Sequence, residues 1–230
     1  MTRKRGKLYV LLSLVLALAL FSLAAPYLTP NDPAATHADH LNEGPSAAFP
    51  LGTDRYGRCV CSRVMAGART SVFSAVALVA VTFAAGTLLG MLAGYYGGVL
   101  DTHEEYARLA RAQTLSLKTA PYVSAARLSG CGHVKLLFQY LLPNMIGTLS
   151  VSAASQLGAM LVGVAGLSFL GIGVQEPYAE WGSMMNQSRA YLQLNSWPVL
   201  APAAATVVTV MLFHLLGDCV RDCAAVEEQR

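Results

Sequence analysis

Residues 70–100 read TSVFSAVALVAVTFAAGTLLGMLAGYYGGVL and hold no charged side chain. In lipid every backbone N–H and C=O must be satisfied inside its own segment, so a span is a helix of about 20 apolar residues. This stretch exceeds that length. Working outward, residues 8–28 and 136–175 are also uncharged, and 190–217 carry only His214. The stretch 136–175 is too long for one helix. Pro143-Asn144 is expected to open its span, because proline is tolerated in a first helical turn, which places that helix near 145–168. The sequence therefore predicts an all-α, polytopic transmembrane helical bundle with four spans.

Composition agrees, since 54% of the 230 residues are hydrophobic and only 13% are charged. That is more apolar surface than a soluble domain of this length buries. The net charge is only +3 and the basic residues are scattered, so nothing favours a nucleic-acid partner. The five cysteines, Cys59, Cys61, Cys131, Cys219 and Cys223, are an odd number without paired CxxC spacing. They support neither a disulfide framework nor a closed zinc site.

Arg3-Lys4-Arg5-Gly6-Lys7 ahead of the first apolar run fits either a cleaved signal peptide, with a weak processing site at Ser22-Leu23-Ala24, or an uncleaved first span. The run is longer than a usual signal core and three further spans follow, which favours the uncleaved helix. With the amino terminus in the cytoplasm, 29–69 and 172–198 lie outside, and 99–142 and 218–230 inside. Lys and Arg then divide as eleven inside and five outside, as the positive-inside rule expects. Both termini are predicted to be cytoplasmic. Arg55, Arg58, Arg63 and Arg69 are the exception in the first outer segment, and their spacing beside Asp54 predicts a structured, amphipathic approach to the second span. Within that span Gly86, Gly90 and Gly94 recur every four residues on one face, where small residues let helix backbones approach closely. Packing within the chain and a dimer interface both fit.

The inner loop reads Tyr106-Ala107-Arg108-Leu109-Ala110-Arg111-Ala112-Gln113, then Tyr122-Val123-Ser124-Ala125-Ala126-Arg127-Leu128-Ser129-Gly130, and ends Tyr140-Leu141-Leu142-Pro143-Asn144. This resembles the EAA loop of ABC importer permeases, whose pattern is Glu-Ala-Ala, three residues, Gly, nine residues, then Ile-x-Leu-Pro. Ala125, Ala126, Gly130, Leu142 and Pro143 fall at that spacing, while Ser124 stands in place of Glu and Tyr140 in place of Ile. Two outer stretches narrow the resemblance to the peptide and nickel class, in its second-permease form. One is Pro50-Leu51-Gly52-Thr53-Asp54-Arg55-Tyr56-Gly57-Arg58 with Ser62-Arg63 and Gly67-Ala68-Arg69-Thr70-Ser71, where Cys59 replaces a frequent Asp. The other is Leu167-Ser168-Phe169-Leu170-Gly171-Ile172-Gly173 with Glu176-Pro177 and Glu180-Trp181-Gly182-Ser183-Met184. Gly217-Asp218-Cys219-Val220-Arg221-Asp222 is similar to that class's carboxyl-terminal ending.

The resemblance implies a bacterial inner-membrane permease subunit that moves nickel or di- and oligopeptides by alternating access. Its partners would be a second permease, two cytoplasmic ATPases that use the ATP, an extracytoplasmic solute-binding protein and membrane lipid. Ser124, Ala125, Ala126, Arg127, Gly130, Leu142 and Pro143 would form the ATPase-coupling segment. The chain divides on this reading into a basic start with the first span (1–28), an outer segment (29–69), a permease core (70–222) with its coupling loop (102–142), and a cytoplasmic tail (223–230). The class usually has six spans. Here only Thr102-His103-Glu104-Glu105 separate Asp101 from Tyr106, so about 40 residues, enough for two spans, are missing.

Chemistry of other kinds is weakly supported. His37, His40 and Cys59 offer imidazole and thiolate for nickel or zinc, against a solvated loop with incidental histidines. His214, Asp218 and Asp222 share a helix face, and the match to the family ending reads the aspartates as a structural helix end. No His-Glu-x-x-His, Gly-x-Ser-x-Gly or phosphate-cradling Gly-x4-Gly-Lys-Ser/Thr motif occurs. The expectation is a non-enzymatic transporter subunit with no cofactor of its own; a stand-alone metal channel or carrier and a membrane metalloenzyme are the alternatives.

Overall fold

The computed structural model describes residues 2–97 and 105–228, with side chains for 6–97 and 105–224. The side chains of Arg3, Lys4 and Arg5 and the predicted junction at 101–104 lie outside the described residues. The helices are α1 (Thr2–Leu28), α2 (Val60–Tyr96), α3 (Glu105–Leu117), α4 (Pro121–Leu128), α5 (His133–Lys135), α6 (Leu142–Phe169), α7 (Trp181–Ser188) and α8 (Trp197–Glu228). Among the described residues, four helical rods are long and apolar enough to span a membrane: Gly6–Leu28, Val60–Tyr96, His133–Phe169 and Trp197–Ala224. The four predicted spans are thus present in an all-α fold.

Their boundaries differ from expectation in instructive ways. The second helix starts at Val60, ten residues before the uncharged stretch. It can do so because Arg63, in its first turn, is buried at 1% exposure with its Nε 3.6 Å from an Asp54 oxygen. The third rod does not begin at Pro143. A π-helical stretch, Leu136–Leu141, joins α5 to α6, and the Leu142 N–H donates to the Leu137 carbonyl five residues back. This wider turn accommodates a proline that would clash in a regular helix interior, and the Asn144 side-chain amide donates to the Tyr140 carbonyl at 2.6 Å. The fourth helix continues to Glu228, so Asp218 and Asp222 lie within it rather than at its end. His214 is packed over Gly158, where an added Cβ would come within 2.9 Å of its ring.

The chain divides into two compact units, Met1–Ala77 with Leu157–Cys219 and Leu78–Gln156 with Val220–Arg230. In the first, Ala68, Val72, Ala75, Leu161, Trp181, Met184 and Phe213 form the core. Trp181 is tied to α2 by its indole N–H, which donates to the Val64 carbonyl at 2.9 Å. Glu180 is fully buried and caps α7: its carboxylate accepts from the Gly182 and Ser183 N–H groups and from the Ser71 hydroxyl. In the second unit, Met91, Tyr95, Ala110, Val123, Leu136, Leu137, Leu141, Met145 and Leu149 form the core.

Candidate coupling site

The segment predicted to carry coupling is α4 and the turn after it, in the second unit. Pro121 at the first helical position starts the helix, as its fixed φ favours. Its end is a Schellman turn: the Gly130 N–H donates to the Arg127 carbonyl and the Cys131 N–H to the Ala126 carbonyl, both at 3.1 Å. Gly130 has φ +79°, the left-handed conformation that the turn requires, with open space where a Cβ would stand.

Only two side chains of α4 turn inward. Val123 (0% exposed) joins the core of the unit and Ala126 (8%) is buried beside it. Tyr122, Ser124, Ala125, Arg127 and Leu128 are exposed, Leu128 at 90%. Of the alanine pair, Ala126 seats α4 on its own unit, so Ala125 alone is presented outward. Leu142 is half-buried, and Pro143 is exposed on the following helix.

A tyrosine that the motif reading passed over holds this arrangement. Tyr95 is buried at the end of α2, with its hydroxyl 2.6 Å from His133 Nδ1 on α5. The Arg127 guanidinium of α4 lies 5.8 Å from the Tyr95 ring centroid and the Lys118 ammonium 5.6 Å. Lys118 also donates to the Tyr95 carbonyl at 2.6 Å, placing a cation at the negative end of the α2 dipole. The signal in the sequence was an aromatic pair, Tyr95-Tyr96, closing an apolar span, with basic residues in the loop that follows.

Gly90 and Gly94 are where α3 rests on α2. A Cβ at Gly90 would stand 2.2 Å from the Ala107 carbonyl oxygen, and one at Gly94 2.7 Å from Thr114 Cβ. Gly86, on the same face, is buried as well. This glycine face is occupied by a helix of the same chain.

The other predicted candidates are not brought together. His37 and His40 both pack on the Phe49 ring, at 5.6 and 5.4 Å, and His40 Nδ1 lies 3.0 Å from Glu43. Cys59 is buried. Among the described residues, no three His, Cys, Asp or Glu side chains are grouped to hold a metal.

Four rods long and apolar enough to span a membrane, among the described residues, define a multi-pass membrane protein. The chain belongs to the family of binding-protein-dependent transport system inner membrane components, which matches residues 105–222. It is similar to the dipeptide transport system permease protein DppC of Haemophilus influenzae, 32% identical over 266 positions that take in 96% of this chain and 90% of the relative. The nickel transport system permease protein NikC of Escherichia coli K12 is 33% identical over 258 positions, 95% of this chain and 93% of the relative. The glutathione transport system permease protein GsiD of Pectobacterium atrosepticum is 34% identical, covering 90% of this chain and 83% of the relative. Since 96% of 230 residues is about 221, about 45 of the 266 positions shared with DppC have no residue of this chain. The family match begins at Glu105. The chain is an inner-membrane permease subunit of the peptide and nickel ABC class, and not an enzyme.

Proposed function

We propose that this subunit imports nickel or di- and oligopeptides, working with a second permease subunit, two cytoplasmic ATPases that consume the ATP, and an outer solute-binding protein. The observation that carries the reading is the division of α4: Val123 and Ala126 seat it, while Ser124, Ala125 and Leu128 face away from its own unit. An apolar side chain 90% exposed, on a helix that a tyrosine, a histidine and a glycine turn hold in place, suits a groove on a soluble partner. ATP-driven closure of the ATPases would push α4, and the helices attached to it would change the access of a central pathway. On this reading both termini are cytoplasmic, and 29–69 and 172–198 face outward.

The test is Leu128→Asp, with Gly130→Asp beside it. Leu128 makes so few contacts that its loss is expected to leave detergent stability within about 0.5 kcal/mol, while co-purification of ATPases and solute uptake are lost. Full recovery of the ATPases with Leu128→Asp would sink this assignment of α4.

A further inference from the structure

Arg69 is the last charged residue of α2 before the uncharged stretch that begins at Thr70. The arginines that precede it face carboxylates: Arg58 and Arg63 face Asp54, and Arg55 lies 3.6 Å from Glu176. Arg69 is exposed, and among the described residues its guanidinium has neither an acceptor nor a carboxylate. It opens instead onto a groove of about 630 Å³ in the first unit, walled by Leu23 of α1, by Phe73, Ser74 and Ala77 of α2, and by Tyr178 of the loop before α7. A second hollow of about 320 Å³ shares Arg69, Thr70 and Tyr178 and is otherwise lined by proline and alanine. Among the described residues no acid lines either hollow. The acids nearest in sequence are engaged elsewhere. Asp32 accepts from the Ala34 N–H at 2.8 Å, Glu176 faces Arg58 and Arg55, and Glu180 is fully buried as the cap of α7.

The groups along the groove stand in the order of an amphiphile. Arg69, Phe73 and Ala77 follow at four-residue steps and share a face of α2, so the groove runs about 12 Å along the helix from cation to methyl. Two features place its charged end at one depth: α1 ends at Leu28, shortly after Leu23, and the charge-free part of α2 starts at Thr70. The end of one span and the start of the next mark the bilayer boundary, where tyrosine and long basic side chains anchor. Tyr178, exposed at that level, adds a phenolic donor. An apolar helix of another subunit laid in the groove would strip water from the Arg69 guanidinium without supplying a counter-charge, which is costly. A phospholipid brings a phosphate to this depth and acyl chains below it.

We infer that this groove holds one anionic phospholipid, its phosphate on Arg69 and the Tyr178 hydroxyl and an acyl chain along Phe73 and Ala77 against Leu23. Guanidinium-to-phosphate hydrogen bonds are charge-assisted and can be bidentate. Of the four rods α1 is the least buried, at 11% of its apolar window, and a lipid lodged against Leu23 fastens it to α2. The inference rests on the chain spanning a membrane, and is independent of the solute imported and of the side on which the termini lie.

The experiment uses the full chain with the subunits that co-purify with it, in phosphatidylcholine nanodiscs carrying a trace of phosphatidylglycerol with a photoreactive diazirine in its acyl chain. Irradiation and peptide mass spectrometry are expected to place label on residues 70–77 and on Leu23 in excess of the other spans. Arg69→Gln is expected to lower that labelling about fivefold, the worth of one arginine at an anionic surface, with labelling elsewhere and the melting temperature unchanged. Arg69→Lys is expected to retain most of it. Ala77→Trp, which fills the groove and leaves Arg69 in place, is expected to displace the lipid as well. The same diazirine carried on phosphatidylcholine is expected to mark the groove no more than the rest of the spans. Even labelling of all spans by phosphatidylglycerol, or undiminished labelling of 70–77 in Arg69→Gln, would overturn the site. If 70–77 takes no lipid label and instead cross-links to a co-purified subunit, a protein covers the groove and the inference is wrong.

Discussion

Around Asp54 the charged residues turn inward, whereas on α4 they turn out. Arg58 and Arg63 are buried, and Asp54 faces both: its oxygens take the Arg58 Nε at 2.7 Å and the Arg58 and Tyr56 N–H groups at 3.0 and 2.9 Å, and one lies 3.6 Å from the Arg63 Nε. On α4 the inward positions are apolar, and Ser124 and Arg127 are exposed. Both stretches look like motifs in the sequence. The first uses its polar residues to hold a loop against its own unit; the second uses apolar residues for that and leaves its polar ones exposed. Charge in a motif is therefore not a guide to contact with a partner until burial is known.

The largest effect expected from this comparison is Asp54→Asn. It leaves the buried Arg63 guanidinium without a counter-charge and Arg58 with Glu176 alone, a loss of about 3–5 kcal/mol for a broken buried pair. Thermal unfolding of the purified chain in detergent reads it directly. If Asp54→Asn melts with the wild type, the arginines have found other acceptors and the ionic frame is not what holds the outer segment.

Next in size is Gly90→Ala. The new methyl would sit 2.2 Å from the Ala107 carbonyl oxygen, and backbone cannot rotate away as a side chain can. Overpacking of this kind costs about 1–3 kcal/mol. Gly94→Ala is expected to cost less, because its closest contacts, Thr114 Cβ at 2.7 Å and the Arg111 carbonyl oxygen at 2.9 Å, are longer and need a smaller shift to relieve. The same melting measurement ranks them, and a reversed order would mean that α3 slides on α2 more easily than the packing suggests.

The four spans were legible because length and absence of charge are properties of a window, which a sequence displays directly. Their ends were less so. The buried Arg63 let α2 begin early, and the π-turn carried a helix through Pro143; each depends on a partner distant in sequence or on a hydrogen-bond spacing that composition does not encode. At the coupling segment, the Gly130 turn and the span after it could be read from spacing. Which alanine is buried and which exposed could not, since Ala125 and Ala126 are the same residue until the core chooses one. Tyr95 escaped notice for the same reason: its role comes from His133, Arg127 and Lys118 meeting it in space.

The smallest expected effect tests whether that tyrosine is a frame or a relay. Tyr95→Phe removes the hydroxyl 2.6 Å from His133 but keeps the ring, which packs edge-on to Tyr96 at 5.0 Å and lies near the Arg127 guanidinium. A neutral hydrogen bond is worth about 1 kcal/mol, and His133 is exposed, so water can take the place of the lost oxygen. Stability is expected to fall by about 1 kcal/mol or less, with ATPase co-purification unchanged. Tyr95→Ala, by contrast, would open the core of the second unit, at about 3–5 kcal/mol. The informative quantity is the ratio of solute imported to ATP hydrolysed in Tyr95→Phe. A wild-type ratio leaves the tyrosine as a frame that holds α4 outward. A fallen ratio at preserved stability would mean that the hydroxyl transmits the movement of α4 and α5 to α2, and that the second unit uses its buried polar groups for work as well as for support.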